Sequence, residues 1–338
     1  MKLGYGIVGS GAIAKVHAEC ISANINTSLV AVFTENSKRN EALSKSFNTS
    51  IINDVNSFYS HPEIDCIVVC NESGKHGETI ELAAKNGKHI LCEKPIEVSL
   101  EKIDRIAKII EKNKVILSVV YQNRWNPEYQ RLKRILEQSL LGTLLISHAQ
   151  INWYRSPEYY SSNPWRGTIE LDGGAALMNQ GIHTIDLWLN LLGDLKQIGG
   201  KIATRVHQIE GEDIAVAFTE FENGVLGTLS AGTALFPGYP ERIEIFGSLG
   251  SICFEAGKIT SSTLPEILIN SIEKDLPICK ANSKISSIDL HQAVHIDFME
   301  SILNNKTPQV TLKTARKSVA LIQALYASSK NQTITQIQ

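Results

Sequence analysis

The stretch Leu3-Gly4-Tyr5-Gly6-Ile7-Val8-Gly9-Ser10-Gly11-Ala12-Ile13-Ala14 decides the fold of the N-terminal half. An apolar run of strand length passes directly into G-x-G-x-x-A, and a helical segment follows. Gly9 permits the tight turn, Gly11 lets the backbone approach a pyrophosphate, and Ala14 allows close packing of helix on strand. The first N–H groups of the helix, around Ala12 and Ile13, lack intrahelical acceptors and favour an anion. Alone the motif is weak. At the head of a βαβ array it predicts a dinucleotide site contacted by Gly9, Gly11, Ala12 and Ile13.

That array continues outward. Strand-like runs recur at Leu29–Phe33, Asp65–Cys70, His89–Cys92 and Val115–Val120, with amphipathic segments such as Glu78–Asn86 and Leu100–Lys112 between them. Continuous apolar strands alternating with helices predict a doubly wound parallel sheet, a Rossmann domain over residues 1–123. After Asn123 the texture changes. A helix at Glu128–Gln138 leads to a long strand at Leu144–Tyr154, an aromatic loop ending at Trp165-Arg166-Gly167, and a helix over Ala175–Leu192. Strands then follow without helices between them: Ile198–Val206, Ile214–Phe221, Val225–Thr233, Arg242–Phe246 and Ser251–Glu255, with Glu222-Asn223-Gly224 as a hairpin turn. This predicts an α+β domain over 124–338 with a large, mostly antiparallel open sheet. It closes on helices near Leu290–Asn304 and Leu312–Ser329, the last of which is a candidate to pack back on the first domain. Ile214–Phe221 and Val225–Thr233 alternate in polarity, and too few helices follow to cover both sheet faces. A homodimer or homotetramer through the open face is the expectation.

The 338 residues carry 33 basic and 35 acidic side chains with no long run of either sign, which argues against a nucleic-acid partner. No apolar stretch approaches membrane-spanning length and no signal-peptide pattern opens the chain, so the reading is cytoplasmic with no membrane partner. The six cysteines form no CxxC pair and no zinc spacing; Cys66, Cys70 and Cys92 sit in apolar runs as small hydrophobes, and no metal is expected. Cofactor choice is less defined. After the second strand, where an acid usually binds the adenosine ribose, the chain reads Thr34-Glu35-Asn36-Ser37-Lys38-Arg39. Glu35 repels a 2′-phosphate, whereas Thr34, Lys38 and Arg39 suit one, unless the two bases merely start a solvated helix. NAD and NADP both stay open, with NAD slightly favoured.

Four further segments, Ser73-Gly74-Lys75-His76, Gly87 through Glu93-Lys94-Pro95, Tyr121 through Pro127, and Gly173 through His183, complete a pattern that resembles the glucose–fructose oxidoreductase / inositol dehydrogenase / MocA family. The resemblance runs in order through nearly the whole chain. It implies NAD(P), a sugar, cyclitol or nucleotide-sugar substrate, the motif lysine at Lys94 and the motif histidine at His183. It also implies cofactor contacts at Asn71, Ser73, His76, Glu93, Lys94 and Gln122, and substrate contacts at Lys94, Arg124, Tyr154, Trp165, Arg166, Asn179 and His183. Two positions depart from the pattern. Asn179 stands where many members have Asp, and Asn71-Glu72 stands where Thr-Pro is common. The Asn-Gln variant and the Trp-Arg-Gly loop look closest to members acting on UDP-linked amino sugars. Within the same family, an NAD-dependent glycosidase and a non-catalytic sensor are the rival readings.

The residues themselves support an acid–base reading. A lysine at the carboxyl end of a parallel strand lies where open α/β sheets bind ligands, and next to an oxidised nicotinamide its proton affinity falls. Glu93 either orients Lys94 or faces solvent. On the Ala175–Leu192 helix, Asn179, His183, Asp186 and Asn190 share one face, with Asp186 placed to orient His183 or to serve structure alone. Trp165 suits a sugar face, Arg166 a carboxylate or phosphate, and Tyr154, Arg155, Tyr159 and Tyr160 a sugar-binding rim. Together these predict reversible oxidation of a ring secondary alcohol. His183 takes the hydroxyl proton, Lys94 steadies the developing alkoxide, and the nicotinamide takes the hydride.

Overall fold

The computed structural model describes residues 2–35, 40–272 and 286–337, so Lys38, Arg39 and Cys279 lie outside the described residues. The chain divides into two compact units: Met1–Gln122 with Ile285–Arg316, and Asn123–Lys284 with Lys317–Gln338.

The first unit alternates strand and helix: β1 (Leu3–Val8), α1 (Ala12–Ala23), β2 (Thr27–Phe33), α2 (Asn40–Phe47), β3 (Ser50–Ile52), α3 (Val55–Tyr59), β4 (Cys66–Val69), α4 (His76–Lys85), β5 (His89–Cys92), α5 (Leu100–Asn113) and β6 (Leu117–Val119). All neighbouring pairs are parallel, in the order β3-β2-β1-β4-β5-β6. The order reverses between β1 and β4, and this switch point is where such sheets bind ligands beyond their carboxyl ends. Every residue of β1 and β4 is buried, as expected for strands covered on both faces. The edge strand β3, with one exposed and two half-buried residues, carries no comparable apolar signal.

The second unit opens with α6 (Pro127–Glu137), whose Asn126 cap accepts from the N–H groups of Glu128 and Tyr129. Then come β7 (Leu144–Asn152), α7 (Pro157–Ser161), α8 (Ile182–Leu192), β8 (Leu195–Ala203), β9 (Ile214–Phe221), β10 (Leu226–Gly232), β11 (Arg242–Gly247), β12 (Ser251–Glu255), β13 (Lys258–Ser262) and α9 (Glu266–Ile272). The helices α10 (Ser287–Leu303) and α11 (Leu312–Asn331) and the short β14 (Thr335–Gln336) complete the chain. The eight strands of this sheet run β13-β12-β11-β7-β10-β9-β8-β14, antiparallel except for the β7–β10 pair. One face buries Ala215, Ala217, Phe221, Leu229, Ala149 and Ile151; the other leaves Ile146, Val216, Phe218, Leu226 and Phe246 exposed.

Two features differ from the expectation. The continuous helix over Ala175–Leu192 is instead a π-helical stretch at Ala176–Gly181 followed by α8, so the four polar positions do not form one α-helical stripe. Segment Ile285–Arg316, with α10, returns to the first unit. Among the described residues, no helix is long and apolar enough to cross a membrane, and no His, Cys, Asp and Glu cluster is arranged to hold a metal ion.

Candidate active site

In the first unit the predicted cofactor residues gather at the carboxyl ends of the strands. Gly9 has φ +115°, and a Cβ there would sit 2.6 Å from the Cys70 carbonyl oxygen, so the turn out of β1 requires glycine. A Cβ on Gly11 meets nothing within 4 Å, and no side chain caps the N-terminus of α1. Ala12 is exposed, Ile13 half-buried and Ala14 fully buried, which leaves the first-turn N–H groups open while the helix packs close. After β2, Thr34 is half-buried and accepts at its carbonyl from the Asn53 side chain, and Glu35 is exposed.

Beyond β4, Asn71 donates through Nδ2 to Thr79 Oγ1 at 3.0 Å, while its buried Oδ1 has no hydrogen-bond partner. Gln122, just past β6, likewise carries a buried Oε1 without one. Buried polar atoms are ordinarily satisfied, so two orphaned acceptors at one sheet edge fit a ligand that brings N–H or O–H donors. Ser73 is buried in a short 3-10 turn. His76 is committed to the backbone: Nδ1 lies 2.7 Å from the Pro95 oxygen and Nε2 lies 3.1 Å from the Asn71 oxygen. Burial lowers its pKa, and the neutral ring, with a single N–H, donates to one of these two oxygens.

Glu93 does not face solvent. It is 8% exposed, and Oε1 lies 2.9 Å from His17 Nε2 while Oε2 accepts from the Lys94 N–H at 3.2 Å. Burial alone would raise its pKa, but the His17 hydrogen bond and the nearby His17, His291 and Lys94 charges bring it down to about 2. Lys94 is half-buried, and the Lys94–Pro95 peptide is cis.

In the second unit Arg124 and Asp186 pair with each other. The Arg124 Nε and Nη2 donate to the two Asp186 oxygens at 2.7 Å each, and both side chains are buried. Of the two roles open to Asp186 the structural one fits this bidentate pair, which also engages the guanidinium of Arg124, the residue expected at the substrate. Asn190, the last member of the expected stripe, accepts from the Tyr129 hydroxyl at 2.6 Å. His183 and Asn179 are half-buried.

Around Asn179 lies a chain of hydrogen bonds that the spacing does not announce. Asp172 accepts from the Gly167 N–H at 2.7 Å and from Asn179 Nδ2 at 2.5 Å. Gln180 Nε2 donates to Asn179 Oδ1 at 3.1 Å and to the Tyr159 hydroxyl at 2.6 Å, and Arg155 Nε donates to Gln180 Oε1 at 3.0 Å. The Arg166 guanidinium lies 4.1 Å from the Tyr159 ring centre and 5.2 Å from that of Trp165; Arg155 lies 5.6 Å from the Tyr159 ring centre. Tyr154 stacks edge-on against Phe236. Tyr160, expected at a rim, is buried with its hydroxyl 2.7 Å from Thr233 Oγ1. The π-helical stretch is held by Glu212, which accepts from the Leu177 N–H at 2.7 Å, from the Ala175 N–H at 3.4 Å and from the Tyr326 hydroxyl at 2.9 Å.

Comparison with known proteins decides the family. The oxidoreductase family model with an NAD-binding Rossmann fold matches residues 3–121, and the GFO/IDH/MocA C-terminal domain matches residues 129–253. The chain belongs to the GFO/IDH/MocA family. Myo-inositol 2-dehydrogenase of Thermotoga maritima is 26% identical over 267 residues, covering 77% of this chain and 78% of that one. The 2,7-anhydro-N-acetylneuraminate hydratase of Escherichia coli is 28% identical over 258 residues, 74% of this chain and 67% of that one. The WlbA dehydrogenase from Bordetella pertussis, in complex with NADH and UDP-GlcNAcA, superimposes with a TM-score of 0.89 at 25% identity, covering 100% of this chain and 99% of that one.

As a GFO/IDH/MocA member, the protein is an NAD-binding oxidoreductase. The open N-terminus of α1, the Gly9 turn and the orphaned Asn71 and Gln122 oxygens fit that dinucleotide, which when bound supplies the hydride acceptor or donor. The departure at Asn179 also gains an explanation. The carboxylate missing at 179 is present one step away, on Asp172, and fixes which way the Asn179 amide points. Its sequence signal was slight: a single acid directly before Gly173-Gly174.

Proposed function

We propose that this protein oxidises, reversibly and with NAD, a ring secondary alcohol on a sugar that carries an anionic group, of the nucleotide-sugar or sugar-acid kind. The observation that carries this reading is the Arg155–Tyr159–Arg166 cluster. Two guanidiniums face one phenol ring, and among the described residues neither is in an ion pair with a carboxylate. Such a cluster attracts a carboxylate or phosphate, which arginine binds bidentately. Glu35, exposed beyond β2, opposes a 2′-phosphate and favours NAD. Lys94 steadies the oxygen from which hydride departs and His183 takes its proton. Asn179, held by Asp172, and Trp165 orient the ring.

The test is a panel of UDP-GlcNAcA, uncharged UDP-sugars, aldoses and cyclitols with NAD and with NADP, followed by nicotinamide absorbance. The reading expects NADH to accumulate in proportion to an anionic sugar. Turnover of neutral cyclitols alone would overturn the anionic assignment. Substrate loss without net NADH would point to transient oxidation followed by elimination or hydration.

We also propose that the exposed sheet face, with Ile146, Val216, Phe218, Leu226 and Phe246, packs on the same face of a second copy. Ile146 sits in register with both Leu226 and Phe246, so these side chains form one patch rather than scattered points. Light scattering at micromolar concentration should give a dimer or tetramer; a monomer would refute the pairing.

A further inference from the structure

The first unit contains a cluster of buried histidines that the chemistry above does not use. His17 lies on the buried face of α1 and is 0% exposed; His291 and His295 lie on α10 and are also buried. His17 Nδ1 is 2.8 Å from His295 Nε2, and the His17 and His291 rings meet edge-on with centroids 5.7 Å apart. The remaining nitrogen of His17 meets Glu93, whose second oxygen holds the Lys94 peptide. The connected path is therefore α10, α1, Glu93, Lys94.

The contacts follow from the partners. An ionised Glu93 only accepts, so His17 Nε2 carries a hydrogen. His17 Nδ1 and His295 Nε2 then share one hydrogen bond, in whichever direction the two rings carry its hydrogen. His295 Nδ1 is a buried atom without a hydrogen-bond partner. Burial first, and then the neighbouring His17 and His291, push the His295 pKa well below its ordinary value, which agrees with a neutral ring. His295, His17 and Glu93 thus form one connected chain of contacts. Packing alone does not call for it, since apolar side chains of similar volume commonly replace buried polar networks at no loss of stability. The rest of the buried face of α1 is Ala14, Ala18, Cys20 and Ile21.

We propose that His17 is a positioning residue for the redox reaction: clamped by His295, it fixes the Glu93 carboxylate that holds the Lys94 peptide. This rests on Lys94 acting in the chemical step. A buried carboxylate that loses its N–H donor becomes a neutral acid and can rotate. Lys94 then loses both a fixed peptide and a neighbouring negative charge. The other titratable groups facing Glu93 are Lys94, His291, His76 and the thiols of Cys70 and Cys92. Burial, with the Glu93 charge second, pushes both thiols up, so they stay neutral and cannot replace His17 as the counter-group.

The test has one arm without turnover. In the full-length chain labelled with ¹³C at glutamate carboxyls, and with Glu93 assigned through Glu93→Gln, the wild-type Glu93 signal should stay flat between roughly pH 5 and 8. In His17→Leu it should titrate within that window, because burial without the donor raises the pKa. His17→Gln, which keeps an N–H donor, should restore the flat response. In the second arm, with NAD and UDP-GlcNAcA, His17→Leu should lower kcat about ten- to a hundredfold, the scale of a misplaced reacting group, with KM little changed. It should also add an acid limb to the kcat profile, and His17→Gln should recover most of the rate. A flat Glu93 signal in His17→Leu, or wild-type kcat with an unaltered pH profile, would overturn the proposal. Should His17→Leu fail to fold, Glu93→Gln carries the test: the same kcat loss without the acid limb supports it, and wild-type kcat overturns it. If UDP-GlcNAcA is not turned over, the substrate reading fails and the carboxyl titration still decides the His17 contact.

Discussion

Glu93 and Glu212 are buried acids, one in each unit, and their neighbours treat them in opposite ways. Burial by itself pushes both pKa values up. At Glu93 the His17 hydrogen bond and the nearby cationic groups reverse that effect and hold it at about 2. At Glu212 burial prevails over two peptide N–H groups and the Tyr326 hydroxyl, and the pKa stays raised. The first acid is a fixed negative charge beside Lys94. The second is a brace for the π-helical stretch that carries Asn179. Depth of burial does not decide the direction in which a buried acid's pKa moves; the charge of its partners does.

The largest effect that would sharpen this contrast is at Lys94. Lys94→Ala should cut kcat by ~10²-fold or more, the scale of lost acid–base catalysis, measured with a substrate for which chemistry limits the rate. Glu212→Gln, by comparison, should act on stability. A comparable kcat loss there, with the fold intact, would erase the distinction drawn between the two acids.

A smaller effect belongs to the arginine pair. Arg155→Met and Arg166→Met should each raise KM for an anionic sugar about tenfold, near 1.4 kcal/mol, with kcat less affected. Equal losses with neutral sugars would mean that the cluster orients the loop rather than an anion.

The smallest effect is a pair of slopes with pH. Glu93 has a lowered folded pKa, so its stabilisation is present above about 4.5 and is lost as pH falls towards 2. Glu212 has a raised folded pKa, so its contribution is greatest at low pH and is lost as pH rises from about 4.5 through the folded value. In urea unfolding, the stability of wild type minus Glu93→Gln should therefore increase with pH, and that of wild type minus Glu212→Gln should decrease. Slopes of the same sign would break the comparison.

What the sequence made legible follows the same physics. The Rossmann half was readable because its strands are buried on both faces, so β1, β4 and β5 are uninterrupted apolar runs between helices. The glycine turn was readable because only glycine fits at Gly9, against the Cys70 carbonyl. The hairpin at Asn223-Gly224 was legible from turn chemistry, with Gly224 at φ +85°. The π-helical stretch was not, because an extra residue in a turn leaves the apolar pattern of Leu177, Ile182 and Ile185 almost unchanged. Strands β3, β13 and β14 are short or half-exposed and carry too few apolar residues to stand out.

At the candidate site, Lys94, His183 and Asn179 were visible through their motif. The residues that hold their surroundings were not. Asp172 and Glu212 act through backbone N–H groups and amides, which leave no spacing signature. His17 sits on the apolar face of its helix, where a lone histidine reads as core. Its partner His295 lies 278 residues away, on the helix that returns to the first unit. The Arg124–Asp186 pair was not legible, because a bidentate contact between residues 62 positions apart cannot be read from either one alone.

The most direct test of the central claim, that Lys94 and His183 act in the chemical step, is single-turnover hydride transfer at saturating dinucleotide and sugar. It compares wild type, Lys94→Ala, His183→Ala and the double variant. The account predicts that each single variant slows transfer by ~10²-fold or more and that His183→Ala leaves dinucleotide affinity nearly unchanged. It also predicts that the double variant loses less than the product of the two, as residues working as one unit do. Near-normal transfer in His183→Ala, with a verified substrate, would contradict it.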